Sequence, residues 1–247
     1  MDYESSIMNN YRFMYELNSE DITRDTIGEF RSGQYGIMVI RNADNNTVEL
    51  FGDLLPQDMH KRTKVTIGHD DEAGDRLQHT HDMLWHQDRA YHKDVHQFVG
   101  LYCIRADAGS SGTYFADMSA VYTNSSDKLK AAADGVECLH SITKYMEQEE
   151  YPYEFETELQ KRFYRKKNRA THPLVCEDAF GKYYFYSPAY TTTPFEREIN
   201  SMIDYSPQYV HMWQPNDLLV YNNFKIIHKR DNTNPNVVRQ HVRYAIR

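Results

Sequence analysis

Two H-x-D pairs sit in the stretch WHQDRAYHKDVH, residues 85–96: His86 with Asp88, and His92 with Asp94. On an extended strand residues i and i+2 face the same side, so either pair can put an imidazole nitrogen and a carboxylate oxygen on one ion. Spacing alone does not choose between them. With 12 His and 36 acidic residues in the chain, an accidental H-x-D is common, and either pair by itself reads as a solvated surface pair. A site needs a third donor from elsewhere. His228, in VYNNFKIIHKRD, ends an apolar run and precedes a polar loop. Two His and one carboxylate on one face of an octahedral ion leave three adjacent positions open, which is the donor set of the non-haem Fe(II) oxygenases.

Those open positions need an occupant. In that chemistry it is 2-oxoglutarate, which chelates iron through its keto and C1 carboxylate oxygens and needs its far carboxylate held by a cation. Arg239 and Arg243, in VVRQHVR, stand at i and i+4 and share a face if the segment is a strand. A guanidinium fork reads a carboxylate bidentately, so arginine there suits the task.

The set resembles the taurine dioxygenase-like (clavaminate synthase-like) family of Fe(II)- and 2-oxoglutarate-dependent oxygenases. That family's pattern is H-x-D, a Thr or Ser roughly two dozen residues on, a distal His, and an Arg about ten residues after it. Here 24 residues (89–112) separate Asp88 from Thr113, and 10 (229–238) separate His228 from Arg239. Only 18 (95–112) lie between Asp94 and Thr113, so the resemblance selects His86 and Asp88 over the second pair. Trp85, GTYFADMSAVY, SSDKLKAAADG, THPLV with YYFYSPAYTTT, and WQPNDLLVYNN are similar to the family's blocks in the family's order. The resemblance implies that His86, Asp88 and His228 ligate Fe(II) and that Thr113 and Arg239 hold the C5 carboxylate of 2-oxoglutarate. It further implies that Arg243 lies near the C1 carboxylate and the primary substrate, and that Asn223 has a structural role. The reaction implied is activation of O2, decarboxylation of 2-oxoglutarate to succinate and CO2, and hydroxylation or desaturation of a substrate.

These side chains must be positioned by strands. YGIMVIRN (35–42) is a near-continuous apolar run and reads as a buried strand; QFVGLYCIRA (97–106), GTYFADM (112–118) and the final VVRQHVRYAIR read as further strands. PLVCED pairs with KYYFYSP across Ala179-Phe180-Gly181, and YVHMW, the turn QPND and LLVYNNFKIIHKR follow. Helical signals cover 19–33, 47–55, 125–135 and FEREINSMID, whereas 69–83 reads as a loop. Many short strands with turn signals predict a mainly β protein with helical decoration, built on a double-stranded β-helix (jelly-roll) core and forming one oxygenase domain over residues 1–247.

Composition bounds the partners. A net charge of -8 argues against nucleic acid and anionic membrane, since binding either requires many unpaired Lys and Arg. The basic cluster KRFYRKKNR (161–169) follows the acidic run EQEEYPYEFETE (147–158), and the two compensate on a surface helix or lid. Cys103, Cys138 and Cys176 form no C-x-x-C pair, and neither a signal peptide nor a membrane span is readable, so a cytoplasmic protein is expected. The expected partner is a small molecule, with Arg243 suiting an amino acid or a metabolite derived from one, and self-association is left open. The alternative reading is a non-catalytic jelly-roll protein that binds a metal or ligand through the same His cluster.

Overall fold

The computed structural model describes residues 11–44, 46–48, 50, 62–67, 77–78, 83–147, 157–231 and 237–246. In chain order the strands are β1 (Arg12–Asn18), β2 (Tyr35–Arg41), β3 (Arg62–Ile67), β4 (Leu77–Gln78), β5 (Met83–His86), β6 (Phe98–Ala106), β7 (Thr113–Asp117) and β8 (Glu137–Ser141). They continue with β9 (Arg169–Pro173), β10 (Val175–Asp178), β11 (Gly181–Tyr184), β12 (Thr191–Thr192), β13 (Gln208–His211), β14 (Leu218–Asn222), β15 (Ile226–Arg230) and β16 (Arg239–Ile246). Two sheets dominate. The larger has the order β1-β2-β14-β6-β16-β3-β4 and the smaller β13-β7-β15-β5. Such interleaving of strands distant in sequence is the mark of a jelly roll, as expected.

Each face of these sheets is covered. Ile37, Val39, Val99, Leu219 and Tyr221 from the larger sheet meet Phe115 and Ile226 from the smaller one. On the larger sheet's other face, Met38, Ile40, Phe98, Leu218 and Val220 pack on Ile27 and Phe30 of the helix Arg24–Ser32. The smaller sheet's other face carries Ala116 and Ile227 against Val121, Ile199 and Ile203 of the helices Met118–Asn124 and Glu196–Tyr205. Double coverage explains why β2 reads as an unbroken apolar run: Ile37 and Val39 face one layer and Met38 and Ile40 the other.

Several elements depart from the sequence reading. The helix expected at 19–33 starts at Arg24, where the Thr23 side chain accepts from the Thr26 N–H, and ends at Gly33 with φ 94°. Residues 118–124, of which only 118 was assigned, to the end of a strand, are helical, with Asp117 capping them by accepting from the Ser119 N–H. LLVYNNFKIIHKR is two strands broken at Asn223–Lys225. Of 47–55, residues 47, 48 and 50 are helical; 49 and 51–55 lie outside the described residues, as does most of 69–83, within which Leu77–Gln78 is a strand and Met83 begins another. The basic cluster does form a helix, Glu158–Lys167, with no buried residue. Among the described residues, no helix is long and apolar enough to cross a membrane.

Burial also makes the fold pH-sensitive. His140 on β8 is fully buried with Nδ1 3.0 Å from the Thr191 hydroxyl, and burial lowers its pKa to about 3, with His172 adding to the effect. The unfolded chain binds this proton below about pH 6.5 and the native state does not, so the stability is complete above that pH and is lost as pH falls toward 3. His140 then contributes a slope of up to about 1.4 kcal/mol per pH unit below pH 6.5. Denaturant titrations at pH 7 and pH 5 are expected to show a shallower pH dependence in His140→Gln than in the parent protein.

Candidate metal centre

The centre is built where β5 meets β15. His228 lies directly across the ladder from His86, the last residue of β5, and the two imidazole centroids are 4.1 Å apart. Asp88 is not on the extended strand that the H-x-D reading assumed. It follows β5 in a turn where Arg89 takes φ 58°, an uncommon conformation for a residue with a Cβ. What aims the carboxylate is Asn223. Its Oδ1 accepts from the Asp88 N–H at 2.8 Å, and its Nδ2 donates to the carbonyls of Asp88 and His96, each at 3.0 Å. Its own N–H donates to the Gln97 carbonyl at 2.6 Å. Gln87 adds a 2.7 Å bond to the Phe224 carbonyl. The turn carrying Asn223 is itself anchored by Lys225, buried among the rings of Tyr11, Phe180 and Tyr183 and paired with Asp178 at 2.5 Å.

One nitrogen from each His and a carboxylate oxygen of Asp88 lie within 4.8 Å of one another, the one such group among the described residues. His86 Nδ1 is 2.7 Å from the Leu84 carbonyl, which fixes the proton there and leaves Nε2 as the lone-pair donor. Asp88 Oδ1 is 3.6 Å from His86 Nε2 and 3.8 Å from His228 Nε2. Its other oxygen, Oδ2, accepts from Arg243 Nε at 2.8 Å and Nη2 at 2.5 Å, and from the Tyr221 hydroxyl at 3.3 Å. The carboxylate is thus divided: one oxygen is consumed by protein donors and the other is turned toward both imidazoles.

Protonation states follow. Burial disfavours the charge on Asp88, but Arg243 and the two imidazoles outweigh it and hold its pKa well below the usual carboxylate range. Burial, then the neighbouring His86, brings His228 down to about 3, so its imidazole is neutral. Burial and the Asp88 charge keep the Tyr221 phenol protonated and able to donate. Two imidazole nitrogens and one carboxylate oxygen suit Fe(II), and the donor set fits that ion.

Arg239, His241 and Arg243 alternate on β16, so the two arginines expected to share a face do so; Arg239 and His241 are buried and Arg243 is half-buried. Arg239 donates to the Ser111 carbonyl, and its guanidinium carbon is 5.8 Å from the Trp213 ring. Trp213 Nε1 donates to Thr113 Oγ1 at 2.8 Å. Thr113 and Arg239 are therefore brought to one place, with Trp213 between them. Arg239 Nε is buried without a hydrogen-bond partner, an arrangement that suits an incoming anion. His92 and Asp94 are not part of this group; the His92 carbonyl accepts from His172 Nε2 at 2.9 Å, and Asp94 is exposed. A cavity of about 440 Å³ lies between residues 93–97, the β10–β11 hairpin and Phe224, but none of the three donors lines it, and the donors define the site. Sequence reading did not single out Trp213 or Tyr221; an aromatic residue in an apolar run gives no sign that its polar end faces a site.

Comparison with known proteins agrees with this geometry. Residues 15–245 match the family described as "Taurine catabolism dioxygenase TauD, TfdA family". No curated protein matches. Among solved structures, AAD-2 in complex with Mn(II) and N-oxalylglycine superposes with a TM-score of 0.73 at 19% identity, over 94% of this chain and 92% of that one. A Burkholderia xenovorans protein assigned as an alpha-ketoglutarate-dependent 2,4-D dioxygenase gives 0.70 at 19%, over 95% and 93%. A taurine dioxygenase from Burkholderia xenovorans gives 0.63 at 13%, over 95% and 87%. Fold and donor set define a jelly-roll dioxygenase dependent on Fe(II), 2-oxoglutarate and O2. The chain belongs to the TauD/TfdA family.

If Asn223 aims Asp88, its loss weakens metal binding without removing a donor. Asn223→Ala is expected to lower Mn(II) or Fe(II) affinity by roughly 10–100-fold, the usual cost of removing an outer-shell partner. Anaerobic calorimetric titration measures it; unchanged affinity in a folded variant would refute the role.

Proposed function

We propose that this dioxygenase hydroxylates or desaturates a small molecule, an amino acid or a metabolite derived from one, while 2-oxoglutarate is decarboxylated to succinate and CO2. In this reading His86, Asp88 and His228 hold Fe(II), and Thr113 and Arg239 hold the C5 carboxylate of 2-oxoglutarate. The observation that carries it is the division of the Asp88 carboxylate, with Oδ1 aimed at the space between two imidazoles while Arg243 and Tyr221 occupy Oδ2. A structural ion pair has no need to leave an oxygen so directed.

When bound, Fe(II) with 2-oxoglutarate supplies the O2 activation that oxidises an unactivated C–H bond. The chain supplies position and charge. Asn223 fixes the Asp88 backbone, Arg243 keeps the carboxylate ionised, and the Leu84 carbonyl fixes the tautomer of His86. Arg243 pairs with Asp88, with Tyr91 also acting on its charge, and a substrate carboxylate suits that neighbourhood. The whole chain is read as one oxygenase domain, and its three free cysteines suit a reducing cytoplasm. Self-association is compatible with this reading.

Anaerobic Fe(II) and 2-oxoglutarate are expected to give the weak visible charge-transfer band of the bidentate chelate. Its absence would favour a non-catalytic ligand-binding protein. His228→Ala should abolish the band and substrate-stimulated succinate formation, whereas His92→Ala should keep both. Arg239→Ala is expected to raise the 2-oxoglutarate requirement by about two orders of magnitude, since leaving one partner of a buried charge pair alone costs roughly 2–5 kcal/mol. A screen of amino acids and related metabolites for stimulated succinate formation identifies the substrate.

A further inference from the structure

Arg230 is buried to 4% exposure, yet it belongs to none of the roles assigned above. Along β15 the side chains alternate. Lys229 points away from the site, its ammonium over the rings of Trp85 and Tyr114, so His228 and Arg230 share the opposite face. That face lies between the sheets, because the His228 ring stacks on Phe115 with centroids 6.0 Å apart. The antiparallel register sets His228 opposite Phe115 and Lys229 opposite Tyr114; continued by one residue, it would bring Arg230 to Thr113, the first residue of β7. Residues opposite one another in such a ladder project to the same side with Cβ atoms about 4.5–5.5 Å apart.

Arg239 reaches the same residue from the other sheet, through Ser111 and Trp213. Thr113 is therefore flanked by two guanidinium groups, one from each sheet. Arg239 feels the charge of Arg230: it is brought down to about 9, by burial first and by Arg230 second. His241, the next inward residue after Arg239, is kept neutral by burial, with Arg239 and Arg230 both contributing. An anion placed between the two guanidinium groups would be held by both.

We propose that Arg230 is a second arginine for the distal carboxylate of 2-oxoglutarate, closing on it from β15 while Arg239 closes from β16 and Thr113 donates between them. This rests on the function proposed above and deepens it. A 2-oxo acid without a distal carboxylate gains nothing from Arg230, so the second cation acts as a selector for the diacid.

The test compares 2-oxoglutarate with 2-oxopentanoate, which has the same carbon chain and no distal carboxylate. Each is titrated anaerobically into the Fe(II)-loaded protein and read by the visible chelate band, for the parent, Arg230→Gln and Arg230→Lys. Arg230→Gln is expected to weaken 2-oxoglutarate by at least about tenfold, as befits a charge-assisted hydrogen bond, and to leave 2-oxopentanoate within about threefold. Arg230→Lys, which keeps the charge and loses the fork, should fall between. Equal weakening of both acids overturns the proposal, because it makes Arg230 a support of the fold or of the metal centre. Undiminished 2-oxoglutarate affinity in Arg230→Gln overturns it as well. A parent protein that gives no band with either acid refutes the proposed function itself, so the two failures are distinguishable.

Discussion

A carboxylate has to stay ionised in a largely buried chamber, and the ion pair between Asp88 and Arg243 is what permits it. Desolvation alone would push the Asp88 proton onto the group. The guanidinium fork reverses that sign, at the cost of burying a second charge, and it does so through one oxygen only. Such a pair adds little net stability, but removing one partner strands the other, at a cost of roughly 3–5 kcal/mol. The pair is therefore better understood as a device for orientation than as a staple. Tyr221, kept protonated by burial and by the same carboxylate, reinforces the choice of oxygen.

The two sheets exist in the arrangement that this pair requires. β16 in the larger sheet brings Arg243, and β5 with β15 in the smaller sheet bring His86 and His228. The three candidate donors come from the smaller sheet and the turn after β5, and the guanidinium that orients the carboxylate comes from the larger sheet. Apolar packing of Ile37, Val39, Leu219 and Tyr221 against Phe115 and Ile226 fixes the gap between the sheets, and the polar side chains take their distances from it. The same logic places Thr113 on one sheet and Arg239 on the other, with the Trp213 indole filling the space and donating a hydrogen bond.

Much of this was legible in residue types and spacing, because a metal site and a carboxylate site each demand particular side chains at intervals set by strand geometry. The arginines at i and i+4 are of that kind; the H-x-D was chosen by resemblance, and its Asp88 lies in the turn after β5 and not on the strand. Runs such as YGIMVIRN are equally plain, since a strand covered on both faces leaves no polar residue to confuse the pattern. The N-terminal strand Arg12–Asn18 was not readable. It pairs in parallel at the sheet edge and is only partly buried, so its apolar pattern is weak. The break at Asn223–Lys225 was hidden because apolar strands flank it on both sides. Nor does a sequence show that Asn223 satisfies the backbone of Asp88, since that contact spans 135 positions.

That span has a consequence for folding order. Asn223 also bonds the His96 carbonyl across 127 positions, so neither contact forms until the β14–β15 segment has docked against the chain that follows β5. Contacts of such separation carry the largest loop-closure entropy and come late in folding. A nascent or partly opened chain therefore has its two imidazoles and its carboxylate scattered, with no preformed nest for a redox-active ion. On the proposed reading, competence to hold iron would arrive only with completion of the native topology.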